Sequence, residues 1–173
     1  MATIAIGTMV EPIVSEFREE VATTRRALER VPADKLEWRP HPKSMTLGQL
    51  ASHIAVIPGN LSRIIQQESF DVLQGNFVPP QPKNVQEILA AFEQSVREGE
   101  QGLLNLSDER ARGIWRLMRG ERELLHRPRV EIVRMIMLNH WYHHRGQLSV
   151  YLRLLNVPVP VTYGPSADES PFA

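Results

Sequence analysis

Four long stretches of this chain place apolar residues at three- and four-residue steps, and that period commits each to an amphipathic helix rather than a strand. In the first, Val10, Ile13, Val14, Phe17, Val21, Leu28 and Val31 recur with charged residues mostly between them. This predicts a helix over 9–31, with Pro12 tolerated in the first turn and Pro32 ending it. The second runs over 46–69, capped by Thr46 or Ser44, with Leu47, Leu50, Ile54, Ile57, Leu61, Ile64 and Ile65 as its stripe. Pro58-Gly59 lies inside it, which predicts a kink just after His53 or a break into two helices. Residues 70–83 read as a loop. Asn84 then caps a third helix carrying Val85, Ile88, Leu89, Phe92, Val96, Leu103 and Leu106, whose C-terminal half Gly99 and Gly102 weaken.

Residues 107–127 predict a short helix from Ser107 and an extended pair turning at Arg119-Gly120. The last long helix starts after Pro128 and runs through Leu155, with Val130, Val133, Met137, His140, His144, Gln147, Leu148 and Tyr151 along or beside one stripe. Asn156, Pro158 and Pro160 stop it and leave an extended tail over 156–173. The expected fold is all-α, an antiparallel four-helix bundle with a short extended hairpin before the last helix. At 173 residues the chain is expected to be one domain, 1–173.

Charge narrows the function. Twenty basic and twenty acidic residues give a formal net charge of zero, so no overall field draws the chain to nucleic acid or an anionic membrane. The apolar N-terminus MATIAIGTMVEPIV is short, lacks a basic flank and runs into EFREEVATTRRALER, so it reads as neither a signal peptide nor a membrane span. The expected partners are a small-molecule substrate, with no nucleic acid and no membrane, and the expected location is the cytoplasm. Absence of cysteine excludes disulfides, thiolate metal sites and a cysteine nucleophile, leaving histidine and carboxylate as metal ligands.

Three of the six histidines fall within NHWYHHRGQLSVYLR, residues 139–153. His140 and His144 are about 40° apart around a helix axis and ~6 Å along it, so their side chains lean over one patch. That spacing lets one helix offer two imidazoles to one divalent cation, as in the H-x-x-x-H half of zincin sites, but Trp141 stands where a zincin has its glutamate base. His143, about 60° from His140, offers a competing i,i+3 pairing and otherwise reads as a flank residue. The third ligand expected is His53, which lies next to the apolar stripe of the second helix. Three imidazoles would leave positions open for water or substrate, and because each must be neutral, binding weakens below about pH 6.5. His41 and His126, beside prolines, read as surface residues. Trp38 and Trp115 read as packing aromatics and Trp141 as an outward or interface-facing flank. Arg145 and Arg153 read as partners of acidic residues or, less simply, as anion binders. Gln147 and Tyr151 line a pocket or fill the core, and Glu87, Glu93 and Gln94 are further polar groups of the third helix.

The runs WRPHPKSMTLGQLASHIA (38–55), LNHWYHHRGQLSVYLR (138–153) and VPVPVTYGPSADE (157–169) together resemble the DinB-like family of bacterial proteins, named for DNA-damage induction. The resemblance spans nearly the whole chain. It implies a four-helix bundle of unusual DinB/YfiT-like connectivity, often dimeric, in which three histidines hold a divalent metal such as nickel, zinc or iron. Matched to this chain, those histidines are His53, His140 and His144, with His143 a neighbour. Relatives with an assigned activity include enzymes that use a low-molecular-weight thiol (mycothiol, bacillithiol or glutathione), so the resemblance implies a thiol-dependent S-transferase or a small-molecule hydrolase. Two alternatives remain: a non-catalytic metal-binding stress-response protein, and a metal-free bundle whose histidines are polar core residues.

Overall fold

The structure, a computed structural model, describes residues 8–170 and 172. The readings made on residues 1–7, that they form no signal peptide or membrane span, lie outside the described residues. Four long helices form the body: α1 (Glu11–Glu29), α2 (Leu47–Ile65), α3 (Val85–Leu104) and, after the one-turn α4 (Asp108–Arg112) and α5 (Arg129–Ile132), α6 (His140–Leu154). α1 packs on α3 and α6, and α2 on the same two. The first two long helices therefore occupy diagonal corners rather than adjacent ones. No helix among the described residues is long and apolar enough to cross a membrane.

The helix starts are local. Thr46 Oγ1 accepts from the Gln49 amide at 3.1 Å while Gln49 Oε1 accepts from the Thr46 amide at 3.0 Å, a reciprocal cap that satisfies two otherwise orphaned donors. Asn84 caps α3 by accepting from the Glu87 amide, and Ser107 caps α4.

Two expectations for α2 need correction. It ends at Ile65 rather than Ser69, and it passes through Pro58 as one helix with no break. Proline at 58 cannot donate to the Ile54 carbonyl. Trp141 Nε1 donates to that carbonyl at 2.9 Å instead, while the next amide, that of Gly59, donates to Ser95 Oγ of α3 at 2.8 Å. Trp141 is accordingly not on an outward flank: it is fully buried and stacks on Phe17 with ring centroids 5.6 Å apart. Gly102, which the sequence marks as a weak point of α3, is a contact position. A Cβ there would lie 1.9 Å from Ser62 Oγ of α2, so only glycine lets the two helices approach this closely.

A three-stranded sheet caps one end. The expected hairpin is β2 (Ile114–Arg119) and β3 (Arg122–Pro128), antiparallel and turned at Gly120, whose φ of +59° favours glycine. The region read as a loop adds β1 (Ser69–Asp71), which pairs parallel with β2 in the register Phe70 to Leu117. The Asp71 carboxylate accepts from the Gly120 amide and ties the hairpin turn to β1.

The last long helix is continuous but not uniform. Between α5 and α6, residues Val133–Asn139 are π-helical, bonding i to i+5. The extra residue per turn moves the buried face to Val133, Met137, Trp141, Arg145, Leu148 and Leu152. His140 and His144 therefore sit beside the core stripe rather than on it.

The tail folds back on the bundle through its acidic residues. Glu169 pairs with Arg26 and Arg30 of α1, and Asp168 accepts from Arg153 of α6 and from the Val159 amide. Hydrogen bonds from Arg153 and the Val159 amide lower the Asp168 pKa, and the Val161 amide and the α1 arginines lower that of Glu169. A depressed folded-state pKa contributes stability above the unfolded value, near pH 4, that is lost as pH falls through the folded value. The Val159 and Val161 amides are thus expected to lose hydrogen-exchange protection between pH 5 and pH 3, after correction for intrinsic rates. The double variant Asp168→Asn with Glu169→Gln should show the same loss at pH 7, and full protection in that variant would refute the clamp.

Candidate metal centre

His53 lies one turn before Pro58 on α2, and His140 opens α6 where the π-helical segment ends. Because α2 and α6 are neighbours in the bundle, these side chains meet. His53 Nε2 is 3.4 Å from His140 Nε2, His140 Nε2 is 2.6 Å from His144 Nε2, and one ring nitrogen from each of the three lies within 4.8 Å of the others. These separations bracket the spacing of about 3 Å between nitrogens that each stand ~2.0–2.1 Å from one ion. The residues fit a divalent cation on donor chemistry as well as spacing. His144 Nδ1 faces Gln147 Oε1 at 2.7 Å, an acceptor, so the proton of neutral His144 sits on Nδ1 and its Nε2 lone pair faces the group. Lone pairs this close repel unless a proton or cation lies between them.

The three imidazoles are also held in the ligating form. Burial first, then the neighbouring rings His144 and His140, pushes the His53 pKa down to about 4. Burial followed by His144 and His143 pushes that of His140 down to about 4. His144 is lowered by burial, against its hydrogen bond to Gln147. All three are neutral at pH 7.

His143 does not join them. It is exposed, and its Nε2 accepts from the Gln147 amide nitrogen at 3.0 Å, so Gln147 bridges His143 and His144. Sequence spacing did not assign that role to Gln147; its i+3 relation to His144 was the available signal. Gln147→Leu is expected to weaken zinc binding ten- to a hundredfold, the usual cost of removing a group that orients a ligand, with helix content unchanged by circular dichroism. An unchanged affinity would remove Gln147 from the centre.

The other singled-out residues lie elsewhere. His41 and His126 are exposed, the latter on Glu123. Glu93 pairs with Arg25 of α1, the Glu87 carboxylate accepts from the Lys83 amide just before α3, and Gln94 contacts Glu98. Tyr151 donates to the Met45 carbonyl and packs edge-on against Trp38, and Trp115 is buried with Nε1 on the Ile64 carbonyl. Arg153 pairs with Asp168. Arg145 is buried and points away from the histidines toward α1, where it meets Glu20 at 2.5 Å and Thr24 Oγ1 at 3.0 Å. It also donates to Tyr163 Oη at 2.6 Å and lies over the rings of Tyr142 and Tyr163. It is a structural ion pair and not an anion site.

A cleft of about 520 Å³ opens beside the histidines, with His53 and His140 at one end, α2 as one wall, and residues 70–80 and Ile136 of the π-helical segment as the others. Among its described lining residues there is no Ser, Thr, Tyr, Lys, Asp or Glu.

Fold and site together define a helical bundle that positions three histidines to hold a metal ion. The family model described as "DinB family" matches residues 7–171, and the chain belongs to that family. It is 26% identical to the uncharacterized protein YrdA of Bacillus subtilis over 92% of this chain and 91% of that one. Among solved structures, a DinB-like protein from Bacillus cereus superposes with a TM-score of 0.68 at 24% identity, covering 88% of this chain and 97% of the other. A putative DinB family member from Exiguobacterium sibiricum gives 0.65 at 17% identity over 91% and 98%. At these identities the likeness speaks for the fold.

Proposed function

We propose that this protein is a cytoplasmic, divalent-metal-dependent enzyme in which His53, His140 and His144 are the ligands. It would act on a small molecule with an exogenous nucleophile, as a thiol-dependent S-transferase or a small-molecule hydrolase. The observation that carries the reading is the convergence of three neutral imidazoles at the end of a cleft whose walls hold no nucleophile or carboxylate. A divalent cation such as nickel, zinc or iron supplies Lewis acidity there, which lowers the pKa of a thiol or water enough to make it reactive near neutral pH.

The chain's own residues have distinct tasks in this reading. His53, His140 and His144 present neutral nitrogens from two helices, Gln147 holds the His144 ring in its tautomer, and the cleft orients the substrate against the histidine end. Among the described lining residues of the cleft there is no carboxylate to act as general base, and the position after His140 holds Trp141, which is buried in the core. The chain has no cysteine, so a thiol nucleophile would come from the substrate or a cofactor, and a water from solvent. A homodimer belongs to this reading on family resemblance alone, since the buried Trp141 gives it no residue; sedimentation showing only 19.7 kDa species would refute it.

The test uses untagged protein reconstituted in turn with nickel, zinc, iron and manganese. The expected result is near-stoichiometric metal, with turnover of thiol plus electrophile, or of an ester or amide, that requires both metal and His140. No metal uptake would leave a plain bundle with polar histidines. Metal uptake with no His140-dependent turnover across the screen would leave a non-catalytic metal-binding protein.

A further inference from the structure

We infer that the cleft beside the histidines is a pocket for an uncharged, mainly apolar small molecule that presents one donor atom to the histidine end. Only the inner end of this inference rests on the metal reading above; the outer part rests on the cleft itself.

The walls carry the argument. Val56, Ile57 and Ile64 of α2, Phe70 of β1 and Ile136 of the π-helical segment form an apolar lining, and the volume of about 520 Å³ falls within the range that holds drug-sized ligands. Arg63 is the one charged residue among the described lining residues, histidines aside, and its guanidinium is already bound to Glu98 and to Asn60 Oδ1. An anionic tail would find no free cation there and a cationic tail no carboxylate, so either would enter at the cost of its hydration. The remaining polar lining, Asn60, Gln67, Gln74 and Asn76, is neutral and suits amide, ester or ether groups.

The mouth of the cleft points the same way. Phe77 and Val78 stand 67% and 70% exposed at its rim, apolar surface that a ligand would cover. Gly75 lets two rings converge there: a Cβ at 75 would fall 2.6 Å from Phe77 Cζ and 3.2 Å from Phe70 Cζ. β1 places Phe70, and its pairing with β2 anchors the start of the 72–80 segment. The strand absent from the sequence reading therefore builds the apolar wall opposite α2.

The experiment is calorimetry with hydroxamates of graded tails on zinc-loaded protein, and with the matching amides, which do not chelate, on metal-free protein. Each buried methylene is worth about three- to fourfold in affinity, so burying even half of the added methylenes should make octanohydroxamate bind about thirtyfold or more tighter than acetohydroxamate. Suberic monohydroxamate, of equal length but ending in a carboxylate, should lose most of that gain. Phe77→Asp, at an exposed position outside the buried core, should cut the chain-length gain at least fivefold. Leu154→Asp, equally solvent-facing on α6 and outside the cleft, should leave it unchanged. Affinity independent of tail length, equal binding of the carboxylate tail, or a gain indifferent to Phe77→Asp would each overturn the inference. Octanamide binding tighter than acetamide to metal-free protein, with that gain lost in Phe77→Asp, supports the pocket even if no metal is taken up, an outcome that sinks the metal reading alone.

Discussion

Arg145→Met is expected to destabilise the metal-free protein by about 3–5 kcal/mol, the usual cost of removing one partner of a buried ion pair. For a chain of this size that is a fall of roughly 8–15 °C in Tm. The side chain is 2% exposed and Glu20 8%, so the variant leaves a carboxylate in the interface of α1 and α6 with no cation beside it. It also removes the donors to Thr24 and Tyr163 and the charge stacked on two tyrosine rings. The informative comparison is Glu20→Gln combined with Arg145→Met. Because the single variant's penalty is mostly the stranded charge, the double variant should recover a large part of it. A loss below ~1 kcal/mol in the single variant, the range of exposed pairs, would show that water reaches the pair.

His53→Ala should reduce zinc affinity on the order of a hundredfold or more, beyond the ten- to hundredfold of an outer-shell change, while His143→Ala should stay within a few-fold of the parent. The contrast follows from placement: His53 Nε2 lies against His140, whereas His143 is exposed, bonds Gln147 and lies edge-on to the His144 ring. Stability supplies a second measure, since metal at 100 times its Kd raises stability by about 2.7 kcal/mol through mass action. That increment should fall to about 0.4 kcal/mol or less at the same free zinc in His53→Ala and largely persist in His143→Ala. Equal losses in the two variants would favour the i,i+3 pairing through His143 and refute the centre described above.

Much of the bundle was legible because its signals are local. Apolar steps of three and four residues, the cap at Thr46, one of two candidates with Ser44, and Asn84, Ser107 and the turn at Gly120 each act within a few residues, and the structure has them where the sequence allows them. Illegible features depend on partners far away in the chain. β1 is three residues long, too short to show alternation, and exists because β2, 45 residues later, offers it a register. Trp141 was misread as a flank for the same reason. Its value lies in the Ile54 carbonyl that Pro58 leaves free, and Trp141 and Ile54 are 87 positions apart.

The candidate centre divides along this line. That His140 and His144 share a patch follows from helix geometry alone, and the absence of cysteine limits a metal to imidazole and carboxylate. That His53 meets them follows from the diagonal arrangement of α1 and α2, which makes α2 a neighbour of α6. The π-helical turn then shifts the core face onto Trp141 and Arg145 and leaves His140 and His144 beside it, with His140 lining one end of a cleft. Periodicity reports which residues share a face of one helix, because that is a property of the helix itself. Which faces meet, and whether a cleft opens between them, depends on packing across the whole bundle, and that was decided only in the tertiary structure.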